Sequence, residues 1–240
     1  MSFTTWTPHA VGSEARRREL SLWRAVEAQY VAATRPLVDT LAEQEALEIL
    51  LEASKPSVPP AARGLDYLLY TPFRYPPSHH GSRFRAPDDP GVWYGAEAVR
   101  SSCAELGYWR WRFLTASRGL ERLDGVAHTI FLARARGPAL DLRTGPLARD
   151  RARWTDPGDY TATQALARAA RMAGIALLRY ESVRDPEHGA CGAVLHPEAL
   201  AGGTRRSQTW FLTVDRRRAS WVRAATRGTR PGEAYEFTFA

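Results

Sequence analysis

Along residues 13–54 apolar positions recur at three- and four-residue spacing, with Leu22, Trp23, Val26, Tyr30 and Ala33 on one face among residues that are mostly strong helix formers. The pattern predicts an amphipathic helix. Pro36 interrupts it, and Thr40 with Glu43 forms a capping box ahead of Leu47, Leu50 and Leu51, so a helical pair is expected. The segment KPSVPP at 55–60 cannot continue a helix, because proline has no amide donor and restricts the residue before it. It reads as a linker, which divides the chain into a helical extension at 1–60 and a domain at 61–240.

Beyond the linker the apolar runs shorten. Strands are expected at 67–70, 92–94, 126–135 and 139–142, with a helix over 97–106. A helix over 161–173 ends at Gly174, whose lack of a side chain suits a left-handed cap, and 175–180 reads as a buried strand. Strands at 210–214 and 219–224 flank a tight connection at 215–218, giving a hairpin with Arg216, Arg217 and Arg218 at its tip. The fold class is mixed α/β (α+β) with an N-terminal helical extension.

Composition changes this picture little. With 44% hydrophobic and 25% charged residues in 240, the chain is expected to bury a substantial core. The net charge is +7, but of the 33 basic residues only Lys55 is a lysine, and asparagine is absent, so arginine-rich coding accounts for the charge as well as an acidic partner does. No run approaches the roughly 18 to 20 apolar residues of a membrane span, and the first twenty residues lack a signal-peptide layout. A cytoplasmic location without membrane contact is therefore expected. Cys103 and Cys191 are read as buried apolar thiols, since two cysteines make no disulfide framework. His79 with His80, and His188 with Cys191, make poor ligand sets, so no metal is expected.

The chemistry concentrates in GSRFRAPDDPGVWYGAEAVRSSCAE, where Arg83, Tyr94 and Glu105 lie eleven residues apart. On a helix there, Val99, Cys103 and Leu106 face the core while Ser101 and Glu105 share the opposite side. A guanidinium offers a fork to phosphate, a tyrosine ring offers a flat surface to a heterocycle, and a carboxylate stabilises a cationic sugar transition state. The same three residues also suit a surface ion pair beside a core aromatic, and spacing alone does not separate the two readings.

The sequence resembles the RES family, named for its Arg, Glu and Ser. Arg83 in GSRF, Tyr94 in GVWYGA and Glu105 in SSCAEL match in order, followed by Trp154, a helix, a strand and Ser182 in SVR within WTDPGDYTATQALARAARMAGIALLRYESVRDP. The likeness covers roughly residues 65–215. It implies an ADP-ribosyltransferase-like fold and cleavage of the nicotinamide–ribose bond of NAD, by hydrolysis or phosphorolysis, in a toxin neutralised by an Xre-like helix-turn-helix antitoxin. Transfer of ADP-ribose to a protein is the alternative that the family also contains. Under this resemblance Arg83 holds the pyrophosphate or ribose end, Tyr94 stacks on nicotinamide, Glu105 stabilises the oxocarbenium-like transition state, and Ser182 is a polar contact in the same cleft.

Phe84 and Arg85 depart from the Trp and Asn that often follow the family's arginine, and His80 stands where an aromatic is common. His80 and Arg74 complete the candidate ligand-binding set, a surface salt bridge being the structural alternative for Arg74. The apolar face of the extension offers either a homodimer surface or a face that docks on its own domain. A nucleic-acid-binding module, gripping through Arg16 to Arg18 and the basic hairpin, is the remaining reading. Under the resemblance, nucleic acid is met only through the antitoxin.

Overall fold

Residues 16–27, expected to be helical, form a strand. In the computed structural model, which describes residues 6–28, 34–75, 81–225 and 232–239, the order is α1 (Pro8–Glu14), β1 (Arg16–Glu27), α2 (Leu41–Ser54), α3 (Tyr67–Arg74), β2 (Trp93–Ala96), α4 (Val99–Ala116) and β3 (Leu123–Asp141). There follow α5 (Arg151–Trp154), α6 (Thr161–Met172), β4 (Leu177–Glu181), β5 (Ala190–Val194), β6 (Leu200–Val214), β7 (Arg218–Arg223) and β8 (Ala234–Thr238). Among the described residues no helix is long and apolar enough to cross a membrane.

The strands lie in the order β1-β2-β5-β4-β3-β6-β7-β8, and β1 also pairs with β3. Strands β1, β2, β5, β4 and β3 therefore close on themselves, while β6, β7 and β8 extend from β3. The β1–β3 ladder is antiparallel and runs from Arg16 opposite Ala139 to Glu27 opposite His128. It overrides the helix propensity of residues 16–27, because each pairing satisfies backbone donors and acceptors and places Leu20 and Leu22, two residues apart, in the core. The expected boundary at residue 60 falls between segments that share one sheet.

Leu22 packs where β2 and β5 present glycines. A Cβ on Gly192 would come within 2.6 Å of Leu22 Cδ1, and one on Gly95 within 3.0 Å of Leu22 Cβ. These two glycines, paired across the strands, leave the space that lets β1 cross over them. Helix α4 lies on the extended part of the sheet, burying Cys103, Ala104 and Leu114 with Trp210, Trp221 and Phe237. Helices α1 and α6 cover a second core cluster, built around Phe84, Trp154, Leu166 and Leu178, and Leu22 lies in a third with Trp93 and Phe131.

Other expectations meet the structure unevenly. Residues 67–70 are helical, not a strand, because Asp66 accepts a hydrogen bond from the Leu68 amide at 2.9 Å and caps α3. The strands expected at 126–135 and 139–142 are one, since Gly137 and Pro138 continue the ladder opposite Arg18 and Arg17. The capping box of Thr40 and Glu43 starts α2 as read, Gly174 takes a positive φ of 70° after α6, and β6 and β7 form the hairpin. Helix α2 has no fully buried side chain: Leu41, Ile49, Leu50 and Leu51 are exposed, and Glu52 bonds Arg74 of α3.

The Leu22 contact generates a test of this architecture. Leu22→Ala is expected to lower unfolding stability by about 3 kcal/mol, the cost of a truncated core leucine. Gly192→Ala is expected to destabilise by about 1 to 3 kcal/mol through overpacking against Leu22. Urea unfolding of the double variant should show less than the summed loss, because the shortened side chain makes room for the new methyl group.

Candidate active site

The turn that carries Arg83 is held on every side. Ser82 and Arg85 bond each other's backbones, the Ser82 amide donating to the Arg85 carbonyl at 2.6 Å and the Arg85 amide to the Ser82 carbonyl at 3.1 Å. Gly81 enters the turn at φ 60°, where an added Cβ would lie 2.6 Å from the Arg85 carbonyl oxygen. From β2 the Tyr94 hydroxyl accepts the Phe84 amide at 3.0 Å and shares a hydrogen bond with Ser82 Oγ at 2.8 Å. From α6, Thr163 Oγ1 donates to the Arg83 carbonyl at 2.5 Å and Gln164 Nε2 to the Ser82 carbonyl at 3.0 Å. Phe84 is fully buried and meets Tyr180 edge-on, with ring centroids 4.8 Å apart.

Arg83 itself donates through one terminal nitrogen to the carbonyls of Trp154, at 2.9 Å, and Asp156, at 3.0 Å, and lies 4.7 Å over the Tyr160 ring. A guanidinium has five N–H donors, so its remaining edge, without a protein acceptor among the described residues, is available to a ligand. Trp154 is buried and fixes its own position by donating from the indole to the Leu147 carbonyl at 2.7 Å.

A cleft of about 400 Å³ opens beside this turn, lined by Arg24, Arg83, Tyr94, Glu105, Trp109, Tyr160, Tyr180, Arg184 and Cys191 among others. Glu105 is the one acid among the described lining residues. Its Oε1 accepts from Ser182 Oγ at 2.6 Å, and Ser182 Oγ in turn accepts the Asp185 amide at 3.0 Å and the Arg184 amide at 3.3 Å. Asp185 is buried, bonded by Ser101 Oγ at 2.6 Å and paired with Arg100. Ser101 and Glu105 thus share the α4 side expected from their spacing, both facing the loop after β4.

Three arginines, Arg24, Arg83 and Arg184, line the same cleft as this carboxylate. Arg24 donates to the Tyr94 carbonyl at 3.1 Å and lies 5.2 Å over the Trp93 ring; burial pulls its pKa down to about 10, which leaves it charged at neutral pH. Arg184 donates to the Pro157 carbonyl at 2.6 Å and sits 3.6 Å over the Tyr108 ring. Burial pushes the Tyr94 and Tyr180 hydroxyls up, so both stay protonated, and burial with the nearby Glu105 does the same to the Cys191 thiol. Cys191 and Cys103 are the buried thiols expected.

The structure brings Arg83, Tyr94 and Glu105 to one cleft, with Ser182 behind the carboxylate and fully buried instead of lining the cleft. Arg74 does not join them: it pairs with Glu52 at 2.8 Å and donates to the Pro56 carbonyl at 2.6 Å, the surface salt bridge. His79 and His80 lie outside the described residues, and His188 is turned to Glu181 at 3.1 Å. Sequence reading missed Arg24, Trp109, Tyr160 and Tyr180, and left Arg184 unassigned. Arg24 was hidden inside an expected helix, whereas Arg184, in the quoted SVR, was within reach.

Comparison with known proteins adds the following. The family profile described as the RES domain matches residues 58–215. No curated protein matches. Among solved structures, a chain in the crystal structure of the M. tuberculosis MbcT-MbcA toxin-antitoxin complex is similar at 15% identity and a TM-score of 0.46, over 84% of this chain and 86% of that one. Arg24, on β1, precedes the matched segment.

The Ser182 hydroxyl joins Glu105 to the backbone, which yields a prediction about the fold as well as the site. Ser182→Ala strands the buried Asp185 amide and is expected to lower stability by about 1 to 3 kcal/mol in urea unfolding. An unchanged midpoint would mean that the amides of 184 and 185 find other acceptors.

Proposed function

Because the chain belongs to the RES domain family, we propose that it cleaves the nicotinamide–ribose bond of NAD and acts as the toxin of a toxin-antitoxin pair. The observation that carries the reading is the single carboxylate of Glu105, pinned by Ser182 in a cleft whose other charged lining residues are three arginines. Such a site fits a ligand with a central diphosphate and one carbon that becomes cationic. Arg83, with its unused donors, takes the diphosphate, assisted by Arg24 and Arg184. The aromatic wall of Tyr94 and Tyr180 receives the nicotinamide ring.

In the reaction the C–N bond to nicotinamide breaks with its electron pair leaving on the ring nitrogen, and the ribose carbon gains oxocarbenium character. Glu105, 2.6 Å from a hydroxyl that cannot turn away, is held in place for that charge to develop beside it. Water then adds to the ribose carbon and a proton is released to solvent, giving nicotinamide, ADP-ribose and H⁺. Phosphate or a protein nucleophile in place of water gives the phosphorolytic and ADP-ribosyl-transfer outcomes. Family membership supports a cognate helix-turn-helix antitoxin that covers the cleft or denies NAD entry.

Chromatography of NAD incubated with the purified protein tests this directly. Nicotinamide release is expected from the native protein, and Glu105→Ala is expected to slow it by about 100-fold or more, the loss for one transition-state charge contact. Dependence on added phosphate would identify phosphorolysis, and label from NAD appearing on protein would identify transfer. Equal release by Glu105→Ala would remove that residue from the chemistry.

A further inference from the structure

Helix α4 carries a second cleft residue one turn beyond Glu105. An α-helix rises 1.5 Å per residue, so Trp109 stands about 6 Å along the axis from the carboxylate, on the same wall. It lines the cleft and is nevertheless 46% exposed. Two neighbours on α4 set its plane: Tyr108 meets the indole edge-on at 5.4 Å, and the Arg112 guanidinium lies 5.9 Å over it. The same Tyr108 carries Arg184 on its face at 3.6 Å, so the indole and a phosphate-binding guanidinium are braced by one tyrosine. An oriented, half-uncovered indole at the edge of a cationic cleft is a stacking surface for a planar heterocycle.

We infer that Trp109 is a binding platform for the adenine ring of the dinucleotide, so that the cleft reads both ends of its ligand. The inference rests on the proposed NAD reading and extends it to the half of the molecule that does not react. On α4 the carboxylate is then at the scissile bond and the indole at the base, with Arg184, which lies over Tyr108, at the diphosphate. Leu106, also in the cleft lining, continues the apolar side of this track.

Calorimetric titration with ADP-ribose, which contains the adenine and diphosphate but no scissile bond, tests the inference without relying on catalysis. Trp109→Ala is expected to weaken ADP-ribose binding about tenfold, the scale of one base–aromatic stack. Trp109→Phe should recover most of that loss, while ribose 5-phosphate, lacking the base, should show no such dependence on residue 109. If nicotinamide release is observed, the ratio of kcat/KM for NAD over nicotinamide mononucleotide should fall about tenfold in Trp109→Ala. Unchanged ADP-ribose affinity, no binding by the native protein, or equal losses with both ligands would overturn the adenine assignment. Binding that depends on Trp109 in a protein that releases no nicotinamide would leave the platform standing and remove the proposed reaction instead.

Discussion

The β1–β3 ladder is the constraint on which the rest of the architecture depends. Its twelve paired positions join residues more than a hundred apart in the chain and leave β1 touching β2 at Trp23 and Ala96 as well. That double pairing closes the five strands, and closure is what presses Leu22 onto Gly95 and Gly192. It also carries Arg24 into the cleft next to the Tyr94 carbonyl. A segment read as part of a helical extension is therefore part of both the core and the site wall.

A branched polar network does the corresponding work at the other end of the site. Glu105 accepts from Ser182, Ser182 accepts the Asp185 amide, and the Asp185 carboxylate takes both Ser101 and Arg100, so the carboxylate on α4 is tied to the loop between β4 and β5. Ser101, Ser182 and Asp185 are buried, and since buried polar groups are costly unless each finds a partner, this bonded set fixes one arrangement of helix against loop. Gly189 belongs to the same fit, since an added Cβ would lie 2.0 Å from Ser101 Oγ. Ser182 acts here behind the carboxylate, at the level of positioning.

Local signals explain which parts were legible in the sequence. The capping box of α2, the glycine after α6 and the 215–218 connection are decided by neighbouring residues, and they appear as read. Strand β1 was not legible because RRRELSLWRAVE shows apolar alternation only at Leu20 and Leu22 and otherwise has helix-forming composition. What makes it a strand is β3, far away in sequence. The short β5, ACGAV, is buried throughout and so lacks any alternation to read. For the site, Arg83, Tyr94 and Glu105 share one segment, which left two readings open, and it is the resemblance to the RES family that singles them out. Arg24 and Tyr160 could not, since only the closed sheet and the α6 start bring them there.

The arginine excess, ambiguous as a composition, shows two contrasting arrangements among the described residues once neighbours are known. Arg179 pairs with Glu97 and Asp141, Arg168 with Asp89, Arg151 with Glu181 and Arg216 with Glu121, so their charges are spent on carboxylates. Arg24, Arg83 and Arg184 are held otherwise, each by backbone carbonyls and by an aromatic face, from Trp93, Tyr160 and Tyr108 respectively. The difference matters physically. A carboxylate partner neutralises a guanidinium and occupies its fork, whereas a ring face steadies it from above and leaves charge and in-plane donors in place. With three such cations and one carboxylate among its described lining residues, the cleft carries a positive excess with a single negative group, an arrangement suited to an anionic ligand with one cationic reacting centre.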